Sequence, residues 1–263
     1  MPEGDTVFVA AKRLHDALAG RCIVRSDFRV PAHALVDLSG QTITGVSPRG
    51  KHILMRTDKG VTIHSHLKMD GEWHLYRDGE RWRLPSHLAR VVIETDEWRA
   101  VGFRLGILEV IPTASEGATL AHLGPDLLGP DWDPDEAVRR VTEEATRPIG
   151  DALTDQRCMA GLGNVYRNEL GFLWGVDPAT PVGETRDVPS LVSLAKRVIE
   201  SNRLRGNQVT TGDLRPGRQQ WVYGRGGEPC RRCGTPIKRR VDTIGSIERS
   251  TYWCPECQGG ARM

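Results

Sequence analysis

From Val7 the apolar positions fall at Ala10 or Ala11, Leu14 and Ala17 or Leu18, the 3.6-residue period of a helix with one buried face. Asp5 or Thr6 is placed to cap this helix and Gly20 to end it, leaving Pro2, Glu3 and Gly4 as a short lead-in. The period then changes. Short runs rich in β-branched and apolar residues predict strands over Cys22 to Val30, Ile43 to Val46, Ile53 to Arg56, Val61 to Leu67, Glu72 to Tyr76, Ala89 to Thr95 and Ile107 to Ile111. Turns such as Ser47-Pro48-Arg49-Gly50, Asp58-Lys59-Gly60 and Asp78-Gly79 separate them, a rhythm that predicts an antiparallel sandwich or barrel. From Pro112 to Asp135 the chain is dense in Gly, Pro and Asp (LGPDLLGPDWDPDE) and predicts a linker. Helices follow over Asp135 to Glu144, Pro148 to Met159 and Asp187 to Asn202, the last with Leu191, Leu194, Ala195, Val198 and Ile199 on one face.

The stretch DQRCMAGLGNVYRNELGF, Asp155 to Phe172, predicts a helix stopping at Gly161, a tight Leu162-Gly163 turn, and a second helix capped by Asn164. Its glycines allow close backbone approach by a partner. Exposed N–H groups at the turn and helix start would suit an anion such as a DNA phosphate. An ordinary helical hairpin is the other reading.

Composition sharpens the picture at the far end. The chain has 263 residues, enough for two domains and a small extra module. Cys230-Arg231-Arg232-Cys233 and Cys254-Pro255-Glu256-Cys257 place four thiols on two tight knuckles, the spacing of one structural zinc. The start, MPEGDTVF, is no export signal, so metal is favoured over disulfides and a cytoplasmic location is expected. Cys22 and Cys158 are expected to be buried thiols without chemistry. Around the first knuckle stand Arg215, Arg218, Arg225, Arg231, Arg232, Lys238, Arg239 and Arg240 against the single acid Glu228, with Tyr223, Tyr252 and Trp253 nearby. A zinc-stapled basic hairpin with aromatics points to nucleic acid; the plainer reading is a zinc that only holds a small domain together. The net charge of +2 hides this asymmetry, because Asp126 to Glu144 is strongly acidic. No apolar run approaches the roughly 20 residues of a membrane span. No glycine-rich phosphate loop appears, so neither a membrane nor a nucleotide cofactor is expected.

Taken together and in order, PEGDT, the RGKH turn, HLKMDG, LGPDLL, DQRCMAGLGNVYRNE and CRRC…RSTYWCPEC resemble the formamidopyrimidine/endonuclease VIII family of DNA glycosylases with AP-lyase activity. The resemblance covers nearly the whole chain. With the pattern, it predicts an α+β multidomain protein. A catalytic β-sandwich with a leading helix would span 1–115, a linker 116–134, a helix-two-turns-helix domain 135–222 and a β-hairpin zinc finger 223–263. It implies that Met1 is removed and that Pro2 becomes the nucleophile. An α-amine, with a pKa near 8, is partly uncharged at neutral pH and can form a Schiff base with the sugar. Glu3 is implied as the acid that protonates the deoxyribose ring oxygen, and Lys51 as a contact to the target sugar and phosphate that serves β-elimination. Asn164, with Gly163 beside it, is implied as a phosphate contact at the helix-two-turns-helix. Arg249 is implied as the zinc-finger arginine that grips phosphates and serves δ-elimination, and Met69 as the wedge that fills the gap left by the flipped nucleotide. Glu169 is expected to be a structural or site-supporting carboxylate.

Two departures direct the reading within the family. The start PEGDT is nearer the PEGP of endonuclease VIII than the PELPE of formamidopyrimidine glycosylases, although Asp5-Thr6 replaces the usual Pro-Glu. The segment WRAVGFRLGILEVI lacks Asp-x-Arg-Arg-Phe-Gly. Oxidised pyrimidines and abasic sites are therefore the expected substrates, damaged DNA the partner and a monomer the working form. A non-catalytic damaged-DNA binder on the same scaffold, or an RNA-binding protein, would share these features.

Overall fold

The computed structural model describes residues 2–244 and 247–259, without the side chains of Ile244 and Ile247. The chain divides into two compact units: Pro2 with Thr6–His122, and Glu3–Asp5 with the chain from Leu123 onward. The division falls inside the stretch expected to be a linker.

The first unit holds most of helix α1 (Gly4–Leu18) and eight strands: β1 (Arg25–Phe28), β2 (Ile43–Arg49), β3 (His52–Thr57), β4 (Val61–His66), β5 (Glu72–Tyr76), β6 (Ala89–Glu94), β7 (Arg99–Phe103) and β8 (Ile107–Pro112). They form two antiparallel four-stranded sheets, ordered β1-β6-β7-β5 and β2-β3-β4-β8. Ile53, Met55 and Ile63 from one sheet and Val91, Ile93 and Ala100 from the other share a core with Val7, Ala11, Leu14 and Leu18 of α1. That shared burial makes the sandwich. Strand β7 was not anticipated, although it is central to its sheet. Its Gly102 breaks the β-branched pattern because Leu105 Cδ1 and Val91 Cγ1 would lie 2.5 and 2.9 Å from any Cβ there.

Helix α1 starts three residues before the expected Val7. Asp5 is therefore a buried member of its first turn rather than a cap. The expected linker begins as a short helix, α2 (Glu116–Thr119), bound to the sandwich. Glu116 there accepts from Arg56 Nε and Nη2 at 2.8 and 2.7 Å and from Thr62 Oγ1 at 2.5 Å. Cys22 is exposed, against expectation, while Cys158 is buried.

The second unit contains α3 (Pro134–Thr142), α4 (Ile149–Thr154), α5 (Asn164–Trp174) and α6 (Val188–Asn202). A hairpin of β9 (Lys238–Ile244) and β10 (Ile247–Trp253) follows, then the short α7 (Pro255–Gln258). Asp133 and Asp187 cap α3 and α6 through their side chains, each followed by a proline in the first turn. Helix α4 stops at Thr154 rather than near Met159, so residues 155–163 form an extended turn leading into α5. Among the described residues, no helix is long and apolar enough to cross a membrane.

Candidate active site

Helix α5 is buried on every side: all residues from Asn164 to Phe172 are inaccessible. A helix buried all round is usually apolar, yet this one carries Asn164, Tyr166, Arg167, Asn168 and Glu169. Each polar group must then find a partner, since an unsatisfied buried donor or acceptor costs about 1–3 kcal/mol. The partners come from three separate segments of the second unit and from Asp151 of α4, which makes α5 its hub.

The first segment is the N-terminal one. Glu3 is fully buried. Its Oε2 accepts from the Gly163 N–H at 2.6 Å and its Oε1 from the Val165 N–H at 2.7 Å. Gly4 N–H donates to the Gly161 carbonyl at 2.8 Å. The N-terminus of a helix favours an anion, and the anion held by these two amides is the chain's own carboxylate. This corrects two expectations. The amides of Gly163 and Val165 are occupied rather than open to a DNA phosphate, and the close approach permitted by the glycines is used internally. A Cβ on Gly163 would stand 2.6 Å from Glu3 Cδ, and one on Gly4 would stand 2.9 Å from Gly161 Cα.

The second segment is the zinc hairpin. Asn164, Arg167 and Asn168 lie one turn apart on a single face. Asn164 Nδ2 donates to the Ser250 carbonyl at 2.9 Å, and Tyr252 N–H donates to Asn168 Oδ1 at 2.5 Å. Arg167 donates to Thr251 Oγ1, to Asp242 at 3.0 Å and to Asp151 at 3.3 Å. Asn164 is thus the first residue of α5, after Gly163 as N-cap, and does not cap the helix itself. Its Oδ1 is buried without a partner. Arg167, Asn168, Asp242 and Thr251 were not singled out in the sequence. The only signal was three polar residues at i, i+3 and i+4 in a helix without an apolar stripe.

This face fixes strand β10 and hence Arg249, the residue before Ser250. Among the described residues no hydrogen bond or ion pair holds the Arg249 guanidinium. Burial lowers its pKa, the Arg167 charge lowers it further, and Asp151 and Glu3 oppose both. An anion there would relieve a half-buried charge. Half of the basic run is engaged in ion pairs: Arg215 and Arg218 with Asp213, Arg225 with Glu228, and Arg240 with Asp177 and Asp242. Part of the charge run seen in the sequence is thus taken up in ion pairs, while Arg215, Arg218, Arg232, Lys238 and Arg239 remain exposed.

The third segment is the approach to the zinc knuckles. Glu169 accepts from the Val222 and Tyr223 amides at 2.9 and 2.8 Å, from Trp221 N–H at 2.8 Å and from Thr210 Oγ1. Burial pushes its pKa up against these four donors. Behind it Phe172 packs with Val222, Ile237, Cys230 and Cys254.

The four sulfurs of Cys230, Cys233, Cys254 and Cys257 all lie within 4.8 Å of one another, with Cys233–Cys254 at 3.4 Å and Cys230–Cys257 at 3.9 Å. Tetrahedral zinc with sulfurs at about 2.3 Å sets them about 3.8 Å apart, so the four fit one zinc and leave no open coordination position. The zinc is structural.

In the first unit, Pro2 is half-buried and immediately precedes Glu3. Met1 lies outside the described residues. Lys51 sits in the two-residue turn between paired Arg49 and His52, beside Gly50 at φ 56°. Met69 is 59% exposed, an unusual position for a large apolar side chain, and follows Lys68 at a left-handed φ of 53°. Close by, His52, His64 and Glu109 form a chain across the β3-β4-β8 face, with imidazole–imidazole and imidazole–carboxylate separations of 2.8 Å.

Three family profiles match in order. The formamidopyrimidine-DNA glycosylase N-terminal domain matches residues 1–105 and that family's helix-two-turns-helix domain 123–203. The zinc finger shared with isoleucyl-tRNA synthetases matches residues 227–259. A Streptomyces coelicolor protein named "Probable endonuclease 8 2" is 53% identical across 99% of this chain and 95% of its own. A DNA-(apurinic or apyrimidinic site) lyase of Mycolicibacterium smegmatis is 50% identical across 98% of this chain and 99% of its own. In fold, the chain is similar to Lactococcus lactis formamidopyrimidine DNA glycosylase bound to abasic-site DNA. The TM-score is 0.82 at 23% identity, over 98% of this chain and 99% of that one.

Proposed function

This chain belongs to the formamidopyrimidine/endonuclease VIII family of DNA glycosylases, in its endonuclease VIII-like branch, and we propose that it is a bifunctional DNA glycosylase and AP lyase of base excision repair. The observation that carries the reading is Glu3, a fully buried carboxylate gripped by two helix-start amides directly after Pro2. A surface tail would need no such clamp. Here it fixes the backbone that bears the nucleophile.

Once Met1 is removed, the Pro2 nitrogen attacks C1′ of the damaged nucleotide and the base leaves with its bonding pair. Glu3 gives its proton to the ring oxygen as the C1′–O4′ bond breaks, and an iminium ion joins enzyme to sugar. The iminium acidifies the C2′ proton. Its loss expels the 3′ phosphate, which is β-elimination, and a second proton loss at C4′ can expel the 5′ phosphate. Lys51 and Arg249 supply positive charge to the phosphates, and Met69 fills the space the extruded nucleotide vacates. The cysteine site supports the hairpin and takes no part in the chemistry. The preferred lesions are oxidised pyrimidines, and the enzyme works as a monomer.

Borohydride trapping on abasic-site DNA tests this. Wild type should form a covalent adduct, Pro2→Gly should form far less, and Glu3→Gln should lose excision of an intact damaged base. Tight binding of damaged DNA without any adduct would instead favour a non-catalytic binder on this scaffold.

A further inference from the structure

The β2-β3-β4-β8 sheet carries a line of polar side chains that the mechanism above leaves unused. Ile53, Met55 and Ile63 turn inward to the sandwich core, so the alternating His52, His64 and His66 lie on the opposite face, with Glu109. His52 pairs with His66 across β3-β4, and His64 pairs with Glu109 across β4-β8. His52 and His64 are buried, and buried polar atoms need partners.

The partners run in one line. His64 Nδ1 donates to Glu109 Oε2 at 2.8 Å, because a carboxylate can only accept. His64 Nε2 shares a second hydrogen bond, also of 2.8 Å, with His52 Nδ1. Both nitrogens of His64 are therefore engaged whether it is neutral and accepts from His52 or charged and donates to it. The rings of His66 and His122 also border His52, with centroids 4.7 and 6.0 Å away. Burying this sheet face does not require such a network: Leu54 lies between these histidines on the same face, pairs with His64, and is buried too.

The line ends on the Lys51 turn. His52 follows Lys51 in the chain and closes its two-residue turn by pairing with Arg49. Apolar packing is non-directional, whereas a satisfied buried hydrogen-bond network fixes the place and orientation of each ring. A lysine reaches its target on a flexible four-carbon stem, so the root of the stem has to be held if the ammonium is to meet one sugar-phosphate. A displacement of about 1 Å can cost about a hundredfold in rate.

We infer that Glu109, acting through His64 and His52, holds the Lys51 turn where β-elimination needs it, which makes all three positioning residues. The inference rests on Lys51 serving β-elimination, as proposed above.

The test separates two steps on duplex DNA carrying one abasic site, with saturating enzyme in a single turnover. Borohydride trapping reads Schiff-base formation on Pro2, and a product gel reads nicking. Glu109→Leu removes the anchor at a half-exposed position, so no core volume is lost. His52→Phe combined with His64→Leu replaces both partners of the inner bond by apolar groups, a change that is close to neutral for stability. Nicking should slow about tenfold in Glu109→Leu and in the double variant. Trapping should stay within about twofold of wild type, whereas a generally weakened fold would slow both steps together. In a Lys51→Ala background Glu109→Leu should slow nicking no further, because it acts through the lysine. Wild-type nicking in either variant, parallel losses of trapping and nicking, or losses that multiply with Lys51→Ala overturn the inference. Lys51→Ala nicking as fast as wild type refutes instead the role of Lys51 on which it rests.

Discussion

Gly163→Ala isolates the clamp on Glu3. The φ and ψ of Gly163, −134° and −156°, are extended values open to any residue, so alanine brings no backbone strain. The three atoms nearest the added methyl all belong to Glu3, with Cδ 2.6 Å, Oε1 2.7 Å and Cγ 3.0 Å from the new carbon. Glu3 is fully buried and cannot swing into solvent. It must move away from the Gly163 and Val165 amides, and hydrogen bonds to a charged group contribute about 1.5–3 kcal/mol each. Partial relaxation leaves an expected loss of about 3 kcal/mol. Urea unfolding of the wild type, Gly163→Ala, Glu3→Ala and the double variant measures it as a cycle. With Glu3 shortened to alanine the methyl has room, so Gly163→Ala should then cost no more than about 0.5 kcal/mol. Equal costs in both backgrounds would mean that the glycine serves something other than the carboxylate, and the clamp argument would fail. Excision should fall with stability in the single variant, because the acid is displaced while the nucleophile remains.

Three further outcomes follow from the same geometry. Arg249→Ala should weaken DNA binding across sequences and lower the slope of log K against log salt by about one; an unchanged slope in a fluorescence titration would remove Arg249 from the phosphate contacts. Chelating the zinc, or replacing Cys254 by Ser, should unfold the hairpin module and open the Phe172–Val222–Ile237 cluster. Circular dichroism and DNA binding would register this, and full affinity in metal-free protein would contradict it. The third outcome concerns pH. Burial, with His66, His64 and His122 adding to it, holds the His52 pKa down at about 3, and burial with Lys68 and Lys51 holds His66 at about 4. Unfolded histidines titrate near 6.5, so below that pH the unfolded chain takes up protons the folded one refuses. Stability should then fall as pH drops from 6.5 towards 4, by on the order of 1 kcal/mol per pH unit. Urea midpoints measured across this range should flatten in His52→Gln, and a midpoint independent of pH in wild type would refute the assignment.

Periodicity and punctuation determined much of this protein from the sequence alone. The α1 stripe, most of the strand sequence and the cysteine spacing are local signals, and each appears in the fold with its boundaries shifted by a few residues. The ordered motifs placed the chain in its family and singled out Glu3, Gly163 and Asn164, though as separate contacts to sugar and phosphate. Strand β7 was missed because Gly102 answers to a packing neighbour rather than to strand propensity.

What only the tertiary structure decided is which group meets which. A helix N-terminus with glycines reads as an open anion site, and nothing local reveals that a carboxylate 160 residues earlier in the chain occupies it. A run of arginines reads as one binding surface until Asp213, Glu228, Asp177 and Asp242 are found beside half of it, while the half-buried Arg249 guanidinium has no carboxylate partner among the described residues. Asp5 reads as a helix cap, and its burial between Tyr166 and Gln208 emerges only when segments 161 and 203 residues away converge on it. The physical reason is common to all three. Burial leaves each polar group one choice of partner, and that choice is made by three-dimensional packing, on which sequence separation has no bearing.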